Sequence, residues 1–114
     1  MPYMHTRFTG SITPEQENAL KTGFGKAIAL LPGKSEQWLM VDFEDHCRIW
    51  FRGSQEQPLA MVEISVFGSS PPTAYERLTA EVTALLGKVL GLEPSCIYVK
   101  YAETSHWGWN GGNF

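Results

Sequence analysis

The fold of this chain is decided by a stretch with clear helix signals, TPEQENALKTGFGKAIALLPG at residues 13–33. Thr13 suits the N-cap, Pro14 suits the first helical position, and Gln16 stands three residues after the cap, as in a capping box. The apolar side chains then recur on one helical face, at Leu20, Phe24, Ala27, Ile28 and Leu31. The segment therefore predicts an amphipathic helix that Pro32-Gly33 brings to an end.

Strands are predicted on both sides of this helix. Residues 2–8 have the mixed faces of a short strand, and residues 38–43 are apolar enough for a largely buried one. Residues 48–50, Arg-Ile-Trp, suggest a short trailing strand. The first half of the chain is therefore predicted to form one β-α-β unit.

The second half repeats this plan. Residues 60–67 predict a strand, residues 96–101 predict another, and residues 106–108 predict a short trailing strand. Between them Thr73 and Glu76 suggest a second capping box, and Gly91 ends a helix whose apolar face is formed by Leu78, Val82, Leu85, Leu86 and Val89. A separation of 58 residues relates Leu20 to Leu78 and Leu39 to Ile97. We therefore predict a single domain, residues 1–114, with an internal repeat of residues 2–59 and 60–114.

The predicted architecture is α+β. Two β-α-β repeats are expected to form one four-stranded mixed sheet with both helices on one face. The other face would carry Met4, Met40, Met61 and Tyr98, which are too apolar to face water in a row. A covered face of this kind predicts a homo-oligomer.

Composition and charge narrow the class of protein. The chain has 114 residues, 43% of them hydrophobic and 18% charged, as expected for a soluble globular domain. A net charge of −3 without charge runs argues against nucleic acid and anionic membranes as partners. No apolar run reaches the length of a membrane helix and no signal peptide is recognisable, so we expect a cytosolic protein.

The cysteines and histidines give no sign of a cofactor. Cys47 and Cys96 fall in apolar, strand-like stretches and are expected to be buried free thiols. His5, His46 and His106 lack the spacing of metal ligands. No metal or other cofactor is expected.

The C-terminal stretch IYVKYAETSHWGWNGGNF, residues 97–114, resembles the C-terminus of the macrophage migration inhibitory factor family. That family belongs to the tautomerase superfamily, whose members begin with a proline after the initiator methionine. Further matches follow in order along the whole chain, at Met1-Pro2, Gly33-Lys34, Gly53-Ser54 and Phe67-Gly68. The resemblance implies a homotrimer whose sheets form a barrel, with three active sites at the subunit interfaces. It also implies keto–enol tautomerisation of small aromatic 2-oxo acids such as phenylpyruvate.

The resemblance also implies roles for particular residues. Pro2 matches the catalytic base that is exposed when Met1 is removed, and Lys34 matches the lysine that binds the substrate carboxylate. Phe67 takes the position whose backbone amide holds the substrate, and Tyr98 matches a wall residue supplied by the adjacent subunit. The mouth of the hydrophobic pocket matches a set of aromatic residues: Tyr3, Trp38, Trp107, Trp109 and Phe114.

Two features depart from the vertebrate members of that family. Lys100 replaces an asparagine that donates to substrate, so it would bring a second cation to the pocket. The third main strand begins with Pro58-Leu59-Ala60-Met61, where those members carry Cys-x-x-Cys. Without those thiols a thioredoxin-like redox activity is excluded.

The chemistry of the matched residues is consistent with this activity. Moving a proton between carbon and oxygen requires a base whose pKa is near the working pH. An N-terminal amine has a pKa of about 7.7–8.0 in model peptides. An apolar pocket and the cation of Lys34 would both lower the pKa of the Pro2 amine. Aromatic walls would exclude water and pack against the ring of the substrate.

Simpler interpretations stand beside these roles. Lys34 follows a predicted helix and would also suit its C-terminal dipole. Trp38 would also fit a plain core role, which is the favoured interpretation for Trp50. Trp107 and Trp109 would equally suit packing between subunits.

Two other functions are compatible with the sequence. One is a cytokine-like protein that binds a receptor, keeps a vestigial tautomerase activity and leaves the cell by a non-classical route. The other is a related proline-dependent enzyme, such as a decarboxylase or a hydratase of the dehalogenase type. The second would need further arginines or an acid to activate water, and the four arginines of the chain do not obviously provide them: Arg7, Arg48, Arg52 and Arg77.

Overall fold

A computed structural model describes residues 1–114, and its main element is a four-stranded sheet with the order β2-β1-β3-β4. The outer pairs β1–β2 and β3–β4 are parallel, whereas the central pair β1–β3 is antiparallel. The helices and strands are β1 (Pro2–Phe8), α1 (Pro14–Ala27), β2 (Met40–Glu44), β3 (Ala60–Phe67), α2 (Pro72–Leu90), β4 (Ile97–Thr104), β5 (Gly108–Trp109) and β6 (Gly112–Asn113). The α+β prediction, with a mixed sheet and two helices, is confirmed.

Helix α1 begins as its sequence predicts. Thr13 Oγ1 accepts a hydrogen bond from the Gln16 amide at 3.1 Å, and Gln16 Oε1 accepts one from the Thr13 amide at 2.9 Å. The two bonds close a capping box that satisfies backbone donors at the start of the helix. The residues predicted to form its apolar face are all buried: Leu20, Phe24, Ala27, Ile28 and Leu31.

Helix α2 begins differently from the prediction. It begins at Pro72, with Pro71 as an N-cap that makes no side-chain hydrogen bond, so Thr73 lies inside the first turn. The fixed φ of proline is already suited to the first helical position, which moves the start of the helix ahead of Thr73. The predicted capping box of Thr73 and Glu76 is therefore wrong. Gly91 ends the helix in the left-handed conformation, at φ 72°, as the sequence indicates.

The core lies between the two helices and one face of the sheet. In β1 the side chains of Met4, Thr6 and Phe8 point to this face and are almost fully buried. The prediction that Met4 lies on the uncovered face is wrong, because alternation from the buried Phe8 assigns the even positions of β1 to the core. Neither helix is long and apolar enough to cross a membrane.

The opposite face of the sheet is uncovered in the single chain, and we call it the open face. Strand pairing arranges its side chains in three rows: Met40, Tyr3, Ser65 and Ala102; Asp42, His5, Glu63 and Lys100; and Glu44, Arg7, Met61 and Tyr98. The middle row is entirely polar, whereas Met40 and Tyr98 on the outer rows are 71% and 58% exposed. The open face is therefore more polar than predicted, with apolar groups near its two ends.

Several predicted strands differ from those observed. Trp38 ends a short 3-10 helix, Glu36–Trp38, and β2 begins only at Met40 as an exposed edge strand. The two predicted trailing strands are not formed as predicted. Residues 48–50 form no strand, and the nearest pairing is an isolated bridge between Phe51 and Ser54. Residues 106–108 contribute only Gly108 to the β5–β6 hairpin. Short segments need a neighbouring strand to bond their backbone groups, and here the single chain offers none beside them.

Three residues expected in the core lie nearer the surface. Trp50 is 65% exposed, so its predicted core role is wrong for the single chain. The thiols of Cys47 and Cys96 are free but only half-buried. Both lie outside the strands. Cys47 is in the loop after β2, which ends at Glu44, and Cys96 is in the 3-10 turn before β4, which begins at Ile97.

Candidate active site

Phe67, at the end of β3, connects the N-terminus to Lys34. Its amide donates a hydrogen bond of 3.0 Å to the carbonyl oxygen of Met1, which extends the β1–β3 ladder by one step. Its carbonyl oxygen accepts a hydrogen bond of 2.9 Å from Lys34 Nζ. Pro2 is buried beside this unit, opposite Val66. The chain therefore brings Pro2, Lys34 and Phe67 to one corner of the sheet.

The position of Lys34 argues against one of its two interpretations, a role at the C-terminal end of helix α1. Helix α1 ends at Ala27, and the 3-10 turn Ile28–Leu30 follows it before the chain reaches Lys34. The ammonium group binds the carbonyl of Phe67 and not a carbonyl of the helix. Its contact is with the end of β3, so the helix dipole does not explain its position.

The N-terminal amine lies in an environment that disfavours its charged form. Burial first, and then the positive charge of Lys34, lower the pKa of the Met1 α-amino group from its ordinary value of 8.0. While Met1 is attached, the nitrogen of Pro2 is an amide and is not basic. Removal of Met1 would therefore place a new amine, on Pro2, one residue deeper in the same surroundings.

A cavity of about 1020 Å³ opens at this corner. Five residues predicted for the site line it, namely Pro2, Tyr3, Trp38, Trp107 and Trp109, whereas Lys34, Phe67 and Phe114 lie outside its lining. Met40, Asp42 and His106 are among its other lining residues. Its walls thus combine flat apolar side chains with a few polar groups, as is typical of small-molecule sites.

The C-terminal segment forms one wall of this corner. The rings of Trp38 and Trp109 meet edge to face with centroids 5.1 Å apart, and Trp109 stacks with Phe114 at 6.3 Å. Phe114 also packs against Phe67, with ring centroids 5.8 Å apart, and the amide of Phe114 donates to the carbonyl of Trp107 at 3.1 Å.

A tight turn in the β5–β6 hairpin positions Phe114. The hairpin turns through Asn110-Gly111, both with positive φ, as such tight turns require. Phe114 is thereby brought back onto Phe67.

Tyr98 and Lys100 are not brought to Pro2 within the single chain. Tyr98 lies in a smaller hollow, of about 200 Å³, where its ring meets Phe51 at 5.3 Å. Lys100 Nζ is 4.0 Å from Glu63 Oε2 in the middle row of the open face. Both residues lie in other rows of the open face than Tyr3, the neighbour of Pro2.

Two residues of this corner were not predicted, Asp42 and His5. Asp42 accepts a hydrogen bond of 2.6 Å from the hydroxyl of Tyr3, and its other carboxylate oxygen is 2.5 Å from His5 Nδ1. The hydrogen bond to Asp42, and then burial, raise the pKa of Tyr3 to about 12. Although burial opposes it, the hydrogen bonds from Tyr3 and His5 lower the pKa of Asp42. Only the parallel register of β1 and β2, which places His5 opposite Asp42, would have revealed this cluster from the sequence.

Comparison with known proteins identifies the class and then the family. The solved structure of Leishmania major MIF2 superimposes with a TM-score of 0.92 at 32% identity, over 100% of this chain and 97% of that one. The structure of Toxoplasma gondii macrophage migration inhibitory factor superimposes with a TM-score of 0.90 at 24% identity, over 98% of this chain and 99% of that one. The structure of a fused 4-OT wild-type symmetric trimer superimposes with a TM-score of 0.85 at 13% identity, over 96% of this chain and 93% of that one. At this identity the likeness shows a shared fold alone. The comparison with curated proteins finds no match.

These likenesses define the class as a protein with the tautomerase fold. A model of the macrophage migration inhibitory factor (MIF) family matches residues 1–114, and the chain belongs to that family.

Proposed function

We propose that this protein is a keto–enol tautomerase of phenylpyruvate-like 2-oxo acids, with Pro2 as the catalytic base after Met1 is removed. Membership of the MIF family and the tautomerase fold support an isomerase activity in general. The observation that carries the proposal is geometric: Phe67 connects Met1 to Lys34 beside the buried Pro2, which lines the cavity. Burial and the charge of Lys34 lower the pKa of the Met1 amine, whose place the Pro2 amine would take, and so favour the neutral form there. A neutral amine near neutral pH is what a proton-transferring base requires.

The reaction needs one proton to move from carbon to oxygen. The neutral amine of Pro2 accepts the proton from the carbon next to the substrate carbonyl. The electron pair of that C–H bond forms the carbon–carbon double bond, and the carbonyl oxygen becomes negatively charged. The Pro2 ammonium then returns the proton to this oxygen, which yields the enol and restores the base.

Lys34 and Phe67 bind the acid group in this proposal. Lys34 Nζ has three N–H donors, of which the carbonyl of Phe67 takes one. The others are available to a carboxylate, for which a charge-assisted hydrogen bond is a strong contact. The amide N–H of Phe67 becomes free to donate to a substrate when Met1, whose carbonyl oxygen accepts from it, is removed. The cavity walls formed by Trp38 and Trp109 would hold the aromatic ring.

A homotrimer completes the proposed site. The fused 4-OT structure of the same fold is described as a symmetric trimer, which supports a homo-oligomer here. The exposed Met40, Trp50 and Tyr98 on and beside the open face are apolar groups that an assembly would cover. In such an assembly Tyr98 and Lys100 of one subunit would reach the Pro2 cavity of the next.

The proposal is tested by comparing the processed protein with a Pro2→Gly variant in a phenylpyruvate tautomerase assay. The variant keeps an N-terminal amine of altered basicity and geometry, and we expect it to lose most of the activity. A variant that retains full activity would show that Pro2 is not the base. The mass of the intact protein, measured on the same sample, reports whether Met1 has been removed.

A further inference from the structure

The residue next to the proposed base is held by a cluster that the proposed mechanism does not use. The Tyr3 hydroxyl donates to Asp42 Oδ2 at 2.6 Å, while Asp42 Oδ1 is 2.5 Å from His5 Nδ1. The rings of Tyr3 and His5 stack, with centroids 6.2 Å apart and planes 13° apart. Two hydrogen bonds and one stacking contact therefore join three side chains of β1 and β2 into a closed triangle.

Charged groups surround the outer side of this triangle. His5 Nε2 is 3.7 Å from Glu44 Oε1, which also lies 3.8 Å from Arg7 Nε. Glu63 stands opposite His5 on β3, and Lys100 stands beyond it on β4. The side chain of His5 is only 23% exposed, so it is held on several sides. Asp42 is thus anchored to the sheet through His5 and is not a freely moving edge carboxylate.

The inner side of the triangle faces the cavity. Tyr3 and Asp42 both line the cavity that contains Pro2. Because the single hydroxyl proton of Tyr3 is donated to Asp42, Tyr3 has no donor left for a ligand. The hydrogen bond also restricts rotation of the side chain, which leaves the ring as the part presented to the cavity.

We propose that Asp42 and His5 are positioning residues that hold the ring of Tyr3 as a fixed apolar wall beside Pro2. The inference deepens the proposed function and rests on it, since the wall serves an aromatic 2-oxo acid. Its effect is on binding of the ring and not on the reacting atoms. Loss of the Asp42 acceptor should therefore raise KM and leave kcat nearly unchanged.

The size of the effect follows from the kind of bond. A hydrogen bond to a charged group is strong, but in the single chain Asp42 is 49% exposed, so solvent weakens the contact there. We expect Asp42→Ala to weaken binding of phenylpyruvate about two- to tenfold. Asp42→Asn keeps an acceptor oxygen for Tyr3 and should recover most of the affinity.

A double-mutant cycle on the processed, assembled protein tests the inference. Tyr3→Phe, Asp42→Ala and the double variant are compared by quenching of tryptophan fluorescence with phenylpyruvate, since Trp38 and Trp109 line the cavity. If Asp42 acts through the Tyr3 hydroxyl, Asp42→Ala has no further effect in the Tyr3→Phe background. Additive effects would overturn the inference.

Glu103→Ala is the matched control. Glu103 accepts a hydrogen bond of 2.6 Å from Tyr75, the same kind of contact between two residues that do not line the cavity. We expect this variant to bind phenylpyruvate as the wild type does. An equal loss of binding in Glu103→Ala would overturn the inference, because the effect would then be a general one.

Two further readouts separate the inference from the proposed function. The pKa values of Tyr75 and Tyr101 are also raised, by burial, so the readout is the difference in tyrosine absorbance between wild type and Asp42→Ala, followed against pH. Because the hydrogen bond to Asp42 raises the pKa of Tyr3, one phenol should titrate at lower pH in Asp42→Ala, without any turnover. An unchanged titration would overturn the inference. Wild-type protein that binds phenylpyruvate without converting it would overturn the proposed function alone, because the double-mutant cycle measures binding and needs no turnover. Wild-type protein that does not bind it would overturn both.

Discussion

Lys34 Nζ donates a hydrogen bond of 2.9 Å to the carbonyl oxygen of Phe67. The amide of Phe67 in turn donates to the carbonyl of Met1 at 3.0 Å. A single residue at the end of β3 therefore connects the cation of the site with the N-terminus. Removal of Met1 would free two groups together, the amine of Pro2 and the amide of Phe67, so retained Met1 masks both.

Replacing Lys34 with methionine should affect both binding and pH dependence. The amine acts as a base only when neutral, so kcat/KM should rise with pH through the pKa of that amine. The positive charge of Lys34 contributes to lowering the pKa of the N-terminal amine, so its loss should move this rise to higher pH. Loss of the carboxylate contact should also lower kcat/KM by about tenfold or more. The measurement is the pH profile of phenylpyruvate tautomerisation.

Lys34→Arg is the control for that experiment. It keeps the positive charge, so the position of the rise on the pH axis should stay near that of the wild type, even where the changed shape reduces the rate. A profile that shifts equally in Lys34→Arg and Lys34→Met would contradict the electrostatic role of Lys34.

Mixing two defective variants should restore part of the activity if Tyr98 serves the neighbouring subunit. Pro2→Gly and Tyr98→Ala each damage one half of a shared site. In randomly mixed oligomers about a quarter of the sites would combine an intact Pro2 with an intact Tyr98. The measurement is activity after the two proteins are unfolded and refolded together, compared with each protein refolded alone. Activity no higher than that of the separate samples would argue against a shared site.

The two helix starts predict different sensitivities to threonine replacement. Thr13 closes a capping box on α1, so Thr13→Ala should lower the free energy of unfolding by about 1 kcal/mol. Thr73 lies inside the first turn of α2 and makes no capping hydrogen bond, so Thr73→Ala should change it by less than about 0.5 kcal/mol. Urea denaturation of both variants gives the comparison. Equal losses of unfolding free energy in the two variants would contradict a stabilising role specific to the Thr13 capping box.

Much of this fold can be predicted because its signals are local. The capping box, the apolar spacing of both helices and the glycine after α2 all act within a few residues. The short strands that the sequence predicts wrongly, at residues 48–50 and 106–108, lie where the single chain offers no partner strand. Their apolar composition indicates burial, but in the single chain no other segment covers them. Composition predicts that a segment will be covered and does not say by which chain.

The candidate site was predictable only as far as the family resemblance reached. Pro2, Lys34 and Phe67 meet at one corner, although they are far apart in the sequence. The cluster of Tyr3, Asp42 and His5 was missed because it depends on the register between β1 and β2. Alternation shows which residues share a face, but register decides which of them touch.

The central claim is that Pro2 is the catalytic base once Met1 has been removed. The most direct measurement is phenylpyruvate tautomerase activity in a sample whose intact mass is known, with a variant that retains Met1 as comparison. Met1 can be retained by replacing Pro2 with a residue too large for excision, and Pro2→Gly provides a processed control. We expect activity only in the processed wild type, with at least about a hundredfold loss in both variants. Full activity in the variant that retains Met1 would contradict the account, because residue 2 of that variant offers only an amide nitrogen.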